Sequence, residues 1–279
     1  MADSNNSSSS SPPPHHQARL IIAPTKADIS TVLSNLIVQS CHSALHQQPN
    51  NIFTIALSGG SLPTFLEQLP QAFTAANIDP QWEKWHVLLA DERCVISSDA
   101  DSNLGAIRQH FTTGVGIPSS QIYGIDETLL LGSSEDVAAS YQENVVKYLI
   151  DKKKKSTDDG RIDCVLLGFG PDGHTCSLFP NHPLLTEQTK WVASIDDSPK
   201  PPSSRITFTL PFLNQYCRQI IFCGVGDSKR PILQSVFTNV EEGMVELCNP
   251  APYPCGMVRP SSSSDEDSLI WLVDADAAK

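Results

Sequence analysis

The stretch DCVLLGFGPDGHTCSLFP, residues 163–180, contains the most informative change of pattern in the chain. It begins with the apolar run CVLL, which is typical of a strand buried on both faces of a parallel sheet. The run ends in a loop with Gly168, Gly170 and Gly173, and His174 follows directly. Because open α/β sheets bind ligands at the carboxyl ends of their strands, this loop predicts a site that presents a histidine. A tight turn whose histidine caps a neighbouring helix is the alternative that the stretch alone leaves open.

Strand-like and helix-like segments alternate on both sides of this stretch. Apolar or alternating runs predict further strands at 51–57, 85–90, 191–195, 205–210, 220–225 and 269–273, and helical spacing or capping predicts helices at 26–46, after Leu62, after Asn103, at 137–150 and from about Pro231. Residues 1–18, rich in Ser, Asn and Pro, predict a disordered low-complexity tail, and residues 19–279 a single domain. We therefore expect an α/β protein: a three-layer sandwich with a mainly parallel, Rossmann-like sheet.

Charge limits the kinds of partner. The chain has 279 residues and a formal net charge of −12. This charge argues against a nucleic-acid or anionic-membrane partner, because both attract cations. An anionic small-molecule substrate would need a locally basic pocket, so arginine and lysine residues beside glycine loops are candidates for binding it.

Cysteine usage and the N-terminal pattern suggest the compartment. Eight cysteines are scattered without a CxxC pair, several of them inside apolar runs. This favours buried free thiols in a reducing compartment over disulfides or zinc. The polar tract after Met1 lacks the apolar segment of a signal peptide, and no apolar run reaches the roughly 18 residues that span a bilayer. We expect a cytoplasmic protein without metal or cofactor, either a monomer or a weak homo-oligomer.

A second glycine loop follows the predicted strand 51–57. It reads Ser-Gly-Gly-Ser, with Gly59, Gly60 and Ser61 ahead of a helix that has Pro63 in its first turn. Free amides at a helix N-terminus, together with the positive end of the helix dipole, bind phosphate. The motif is common by itself, but its position between strand and helix favours a phosphate site.

Cations at two other strand–loop junctions fit the same site. Arg205 follows the connector PKPP, and Lys229 lies in the turn GDSK. Because parallel strands end at one edge of the sheet, these cations and the amides of the glycine loop would hold a phosphate dianion. His174 would then lie one sugar length away and take a proton from water. Cys176 is better explained as a packed small residue than as a nucleophile, since it has no obvious histidine partner.

A set of ordered motifs resembles one known family. The motifs are SGGSLP (58–63), LLADERCV (88–95), DSNLG (101–105), LLGFGPDGHTCSLFP (166–180), SPKPPSSRITFTLP (198–211), YPCGMVRP (253–260) and IWLVDADAA (270–278). Together they resemble the 6-phosphogluconolactonases of the glucosamine-6-phosphate isomerase/6-phosphogluconolactonase family. The resemblance implies metal-free hydrolysis of 6-phospho-D-glucono-1,5-lactone to 6-phosphogluconate, a step of the pentose phosphate pathway.

The resemblance also implies a role for each matching residue. His174 looks like the base that activates water, while Asp91 and Arg93 look like groups at the sugar end, where Arg93 would steady the oxyanion. The expected phosphate site is Gly59, Gly60, Ser61, Arg205 and Lys229, and the expected loop support is Gly170, Asp172 and Gly173. The chain departs from relatives at Leu62, where many have Thr, and at Cys176, where Ala is common.

Two alternatives are weighed against this function. A glucosamine-6-phosphate deaminase-like isomerase of the same fold would resemble GHxAxNEP here, with a glutamate where this chain has Phe179. A catalytically silent sugar-phosphate-binding protein would keep the phosphate loop and lose the base, yet His174 and its glycines are present.

Overall fold

The computed structural model describes residues 16–46, 52–155, 159–261 and 267–279. The strands run β1 Gln17–Ala23, β2 Phe53–Leu57, β3 Trp85–Leu89, β4 Asp91–Arg93, β5 Ile162–Gly168, β6 Val192–Ile195, β7 Arg205–Phe208, β8 Cys217–Gly224, β9 Gly243–Glu246 and β10 Leu269–Asp274. The α-helices are α1 Lys26–His46, α2 Leu69–Ala75, α3 Asn103–Ile107, α4 Ser134–Tyr141, α5 Tyr148–Lys154, α6 Leu210–Gln215, α7 Arg230–Val236, α8 Pro254–Met257 and α9 Ala275–Ala278. Among these described residues, no helix has the length and apolar character needed to cross a membrane.

The central sheet has the strand order β3-β2-β5-β8-β10-β1-β9. Each neighbouring pair is parallel except β1 with β9, which is antiparallel. Strands β2 and β3 are buried at every position, as expected of strands covered by helices on both faces. The prediction of a three-layer α/β sandwich with a mainly parallel sheet is confirmed.

A separate three-stranded antiparallel sheet lies beside the central one, in the order β4-β7-β6. Two of its strands were predicted from sequence at 191–195 and 205–210, but with no indication that they leave the central sheet. The third, β4, is the charged segment Asp91–Arg93. Arg205 therefore does not lie at a parallel strand's carboxyl end: it begins β7 and pairs with Arg93 across the antiparallel ladder.

Two boundary predictions are wrong, each for a physical reason. Strand β1 begins at Gln17, inside the range 1–18 predicted as tail, because Gln17 and Ala18 pair with β9. Residues 1–15 lie outside the described residues. The helix predicted at 137–150 continues to Lys154 as α5, because the Lys153 side chain is buried in an ion pair with Asp163, Nζ to Oδ1 2.5 Å.

Candidate active site

A pocket of about 450 Å³ opens where β2, β5 and β8 end and the small sheet meets the central one. Its walls include most of the residues predicted from sequence: Gly59, Gly60, Ser61, Asp91, Arg93, Gly170, His174, Arg205 and Lys229. Asp172 and Gly173 are not among the lining residues. The structure therefore brings the sequence-distant candidates into one cavity, with Asp172 and Gly173 behind its wall.

The glycine loop after β2 has a shape that only glycine fits at two positions. Gly60 has φ +69°, in the left-handed region that favours glycine. A Cβ on Gly59 would lie 1.7 Å from Oδ1 of Asn103, a residue that sequence reasoning missed. The predicted helix after the loop is a 3₁₀ turn, Leu62–Leu66, so its dipole is weaker than a long helix would supply. The amides of the loop are the stronger anion-binding feature.

His174 is held through its Nδ1 atom. Asp172 Oδ1 lies 2.5 Å from this nitrogen, and Lys200 Nζ lies 2.9 Å from it. Lys200 Nζ also contacts Asp172 Oδ2 at 3.1 Å. Nδ1 cannot donate to the carboxylate and also accept from the ammonium; because the carboxylate only accepts, we assign the proton to Nδ1. Among the described residues Nε2 has no hydrogen-bond partner, so its lone pair is the one available to a ligand.

The electrostatics of this trio favour a neutral imidazole beside an ionised carboxylate. Burial lowers the pKa of His174, while the hydrogen bond and charge of Asp172 oppose that decrease. Burial disfavours ionisation of Asp172, but its contacts with His174 and Lys200 outweigh burial and lower its pKa to about 2. A neutral imidazole at neutral pH is the form that accepts a proton from water.

The glycines of the central loop make room for this arrangement. A Cβ on Gly170 would lie 2.1 Å from His174 Nδ1 and 2.2 Å from Asp172 Oδ1. Gly173 has φ +80°, and a Cβ there would lie 2.5 Å from the ring of Tyr253. These two positions therefore support the loop sterically, in line with the role expected for them.

The segment Asp91–Arg93 is a buried strand whose charges are mostly satisfied. Glu92 accepts hydrogen bonds from the backbone of Arg93, Asn103 and Leu104 and from the Ser102 hydroxyl, at 2.8–3.1 Å. It fixes the start of α3 and is not part of the pocket wall. Asp91 and Arg93, on either side of Glu92, both line the pocket.

Asp91 and Arg93 differ in how many of their polar side-chain atoms have a hydrogen-bond partner within the protein. Asp91 Oδ2 accepts from the Ser177 hydroxyl at 3.0 Å, and burial raises the pKa of its carboxyl despite the nearby Arg93. Arg93 Nη1 donates to the Asp101 carbonyl at 2.6 Å, whereas its buried Nε has no partner among the described residues. Because Arg93 also lines the pocket, its guanidinium is a candidate donor to a ligand there.

The two predicted phosphate cations are engaged to different degrees. Lys229 Nζ donates to the Phe169 carbonyl at 2.5 Å, which leaves two of its protons for a ligand. Burial lowers the pKa of Lys229, and the charge of Lys200 adds to that effect. Arg205 uses Nε and Nη2 on the carbonyls of Pro202, Lys200 and Pro201 at 2.8–3.0 Å. Its Nη1, 3.4 Å from the Ser177 hydroxyl, is the donor left for an anion.

The pocket also contains Leu62 and Cys176, the two departures from the family pattern. Both are buried. Burial raises the pKa of the Cys176 thiol well above its usual value, so the nucleophilic thiolate is disfavoured. This agrees with Cys176 as a packed small residue; all eight cysteines are free thiols.

Three residues that contact the predicted site residues were not predicted from the sequence, although one of them stands in a motif that was identified. Asn103 stands in the quoted motif DSNLG, and its Nδ2 donates to the Asp91 carbonyl at 2.8 Å. Phe179 stacks on the His174 ring with centroids 5.1 Å apart. Lys200 gave no signal beyond the PKPP motif, because its partners lie 26 and 28 residues earlier in the chain.

The fold and site together define a class: an α/β protein with a polar pocket at the carboxyl edge of a mostly parallel sheet, where a histidine–aspartate pair faces a glycine loop. The family model described as glucosamine-6-phosphate isomerases/6-phosphogluconolactonase matches residues 24–271. The chain belongs to this family, and the resemblance stated from its motifs is confirmed.

Relatives with curated names agree with this assignment. The chain is 43% identical over 202 residues to "Probable 6-phosphogluconolactonase 5" of Arabidopsis thaliana, covering 71% of this chain and 79% of the relative. It is 35% identical over 256 residues to 6-phosphogluconolactonase of Rattus norvegicus, covering 90% and 89%.

Solved structures share the fold. The crystal structure of devB protein superposes with a TM-score of 0.72 at 26% identity, covering 94% of this chain and 98% of that one. The 6-phosphogluconolactonase of Trypanosoma cruzi gives 0.73 at 21% identity, covering 94% and 96%. At that identity the second likeness indicates the fold alone.

Proposed function

We propose that this protein hydrolyses the ester bond of 6-phospho-D-glucono-1,5-lactone to give 6-phosphogluconate. This is the reaction for which its relatives are named. The observation that carries the proposal is the pairing of two features in one pocket. One is His174, with Nδ1 bound to Asp172 and Nε2 unpartnered among the described residues. The other is the glycine loop with Lys229, which suits a phosphate.

His174 acts as the base in the proposed chemistry. Nε2 takes a proton from a water molecule while the water oxygen forms a bond to the lactone carbonyl carbon. The resulting tetrahedral intermediate collapses with cleavage of the bond between that carbon and the ring oxygen. The imidazolium returns its proton to the departing ring oxygen, which becomes a hydroxyl, and the product acid ionises at neutral pH.

Arg93 and Asp91 serve the sugar end. A donor on Arg93 stabilises the negative charge that develops on the carbonyl oxygen as the tetrahedral intermediate forms. A fixed positive group lowers the barrier most at this step. Asp91 accepts a hydrogen bond from Ser177 and interacts with the charges of Arg93 and Arg205, so its proposed role is to order that wall. The proposal assigns no covalent step to Cys176, because burial raises the pKa of its thiol and so disfavours the nucleophilic thiolate.

The phosphate group binds away from the reacting carbon. The amides of Gly59, Gly60 and Ser61, with Lys229 Nζ and the remaining Nη1 of Arg205, form its expected cradle. These contacts are equal in the ground state and the transition state, so they govern KM more than kcat. The phosphate fixes the lactone carbonyl in front of His174.

The test is production of 6-phosphogluconate from freshly made lactone, coupled to a dehydrogenase and corrected for spontaneous opening. The wild-type protein should turn over, and His174→Ala should lose roughly 10²–10⁴-fold in kcat, the usual contribution of a general base. His110→Ala is the matched control, because His110 also pairs with a carboxylate, Glu67 at 2.6 Å, outside this pocket. No turnover by the wild type, or equal turnover by His174→Ala, would refute the proposal.

A deaminase-like activity is the second candidate, and the pocket argues against it. The position where those enzymes are expected to carry a glutamate is Phe179, whose buried ring stacks on His174. It offers no carboxylate for opening a sugar ring. Ammonia release from glucosamine 6-phosphate above the level of the His174→Ala variant would favour the alternative.

The remaining expectations on partners and location are also proposals. We propose a cytoplasmic enzyme, a monomer or weak homo-oligomer, that works without metal or cofactor and binds neither nucleic acid nor membrane. The acidic net charge of −12 supports the last two points. Fractionation of the native protein, with size-exclusion chromatography of the purified chain, tests location and assembly.

A further inference from the structure

Lys200 lies beside His174 and Asp172 and is not one of the residues that line the pocket. Its Nζ is 3.1 Å from Asp172 Oδ2 and 2.9 Å from His174 Nδ1, and it lies 5.9 Å from the ring centroid of Phe179. Lys200 does not belong to the pocket wall, whereas His174 does. The described contacts of the ammonium are therefore with the imidazole and with the carboxylate that orients it.

The backbone of Lys200 is fixed more firmly than its connector sequence suggests. Arg205 Nη2 donates to the Lys200 carbonyl at 2.8 Å and to the Pro201 carbonyl at 3.0 Å. The Ser198 hydroxyl donates to the same Lys200 carbonyl at 2.8 Å and accepts from the Lys200 amide at 3.2 Å. The Lys200 side chain therefore extends from an anchored backbone, although the side chain itself is 40% exposed.

We propose that Lys200 is a positioning residue for the reaction: its ammonium holds the Asp172 carboxylate against His174 Nδ1, so that Nε2 stays unprotonated and faces the pocket, while Lys200 itself does not touch the substrate. The inference rests on the proposed function for its kinetic readout. In this arrangement Arg205 has a structural task besides any contact with phosphate, because it anchors the loop that carries Lys200.

The charged groups around His174 determine the sign of the effect. Asp172 contacts the imidazole from its own loop and Asp91 faces it from β4, and both raise its pKa; Lys200 lowers it, and burial lowers it most. Lys229, in the turn after β8, is close enough that the charge of Lys200 lowers its pKa and the charge of Asp172 raises it. Removing the charge of Lys200 should therefore raise the pKa of His174. As the pH falls, the imidazole would then become protonated, and inactive as a base, at a higher pH than in the wild type.

The experiment compares Lys200→Met, Lys200→Gln and Lys200→Arg over pH 5–9 in the lactone assay. In the two neutral variants we expect the acid limb of the kcat/KM profile to move to higher pH. On that limb kcat/KM should fall by about two- to fivefold, which corresponds to the interaction energy of a partly exposed ion pair. The KM for lactone should stay unchanged, and Lys200→Arg should restore the wild-type profile. Lys190→Met is the control, because Lys190 pairs with Glu135 at 2.6 Å outside the pocket.

A second readout needs no substrate. Nitrogen-15 NMR of the free wild-type protein should show the His174 proton on Nδ1, and titration should give a higher pKa for His174 in Lys200→Met. An Nε2–H tautomer, a superimposable titration curve, or a raised KM with an unmoved acid limb would each overturn the inference. If the wild type fails to hydrolyse lactone, the proposed function fails, and the NMR titration still decides the role of Lys200.

Discussion

Replacing Asp172 by asparagine changes one oxygen atom and removes the charge that orients His174. In the wild type, Asp172 Oδ1 accepts from Nδ1 at 2.5 Å. Asparagine can accept from Nδ1 through its oxygen, or donate to it through its nitrogen and so stabilise the tautomer that carries the proton on Nε2. That second tautomer has no lone pair facing the pocket, so it is inactive as a base.

The size of the loss follows from the difference between two kinds of hydrogen bond. A bond to a charged group contributes roughly 1.5–3 kcal/mol and a neutral one about 0.5–1.5 kcal/mol. The two ranges differ by about 1–1.5 kcal/mol. Because Asp172 is 39% exposed, solvent screening lowers the difference to about 1 kcal/mol. At about 1.4 kcal/mol per tenfold in rate, Asp172→Asn should lower kcat by roughly fivefold.

The pH profile should shift in a defined direction. Burial lowers the pKa of His174, and Asp172 opposes that decrease. Without the carboxylate the pKa falls further, so the acid limb of kcat/KM should move to lower pH even as the plateau falls. This is the opposite of the shift expected for Lys200→Met. Asp197→Asn is the control, because Asp197 accepts from His182 at 2.9 Å outside the pocket. An unchanged kcat, or an acid limb that moves to higher pH, would refute the reasoning.

Three further predictions concern other parts of the structure. Gly170→Ala should lower kcat at least as much as Asp172→Asn at an unchanged melting temperature, because its Cβ would lie 2.1 Å from His174 Nδ1; full activity would contradict the packing of this loop. Lys229→Met should raise KM by roughly ten- to hundredfold with kcat nearly unchanged, the cost of one hydrogen bond to a charged group, and a loss confined to kcat would contradict the phosphate role. Lys153→Met should destabilise the fold by up to roughly 3–5 kcal/mol in urea unfolding, because the buried Asp163 carboxylate loses its 2.5 Å ion pair and, among the described cations, keeps only the more distant Arg218 Nε at 3.8 Å. The Lys155→Met variant, changed at an exposed position, should unfold like the wild type.

The sequence predicted best what is encoded locally. The apolar run before Gly168 and the glycine loops both follow from short-range rules, and the structure places them at one edge of the sheet. His174 was identifiable because its glycines precede it directly. The parallel order of the central sheet follows from the alternation of strands and helices.

What the sequence concealed depends on contacts between distant segments. The motif LLADERCV does not indicate that Glu92 accepts hydrogen bonds from the start of α3, about ten residues later. Strand β1 was hidden by the polar tail before it, and it forms because β10 and β9 flank it. Lys200 has no local pattern that indicates its role, because its partner Asp172 lies on another loop.

The central claim is geometric: a phosphate cradle and the free Nε2 of His174 face the two ends of one sugar-sized pocket. A crystal structure with bound 6-phosphogluconate tests it most directly. We expect the phosphate on the amides of Gly59–Ser61 and on Lys229 Nζ, and the product carboxylate within hydrogen-bonding distance of His174 Nε2. A phosphate bound beside His174, or product bound outside this pocket, would contradict it.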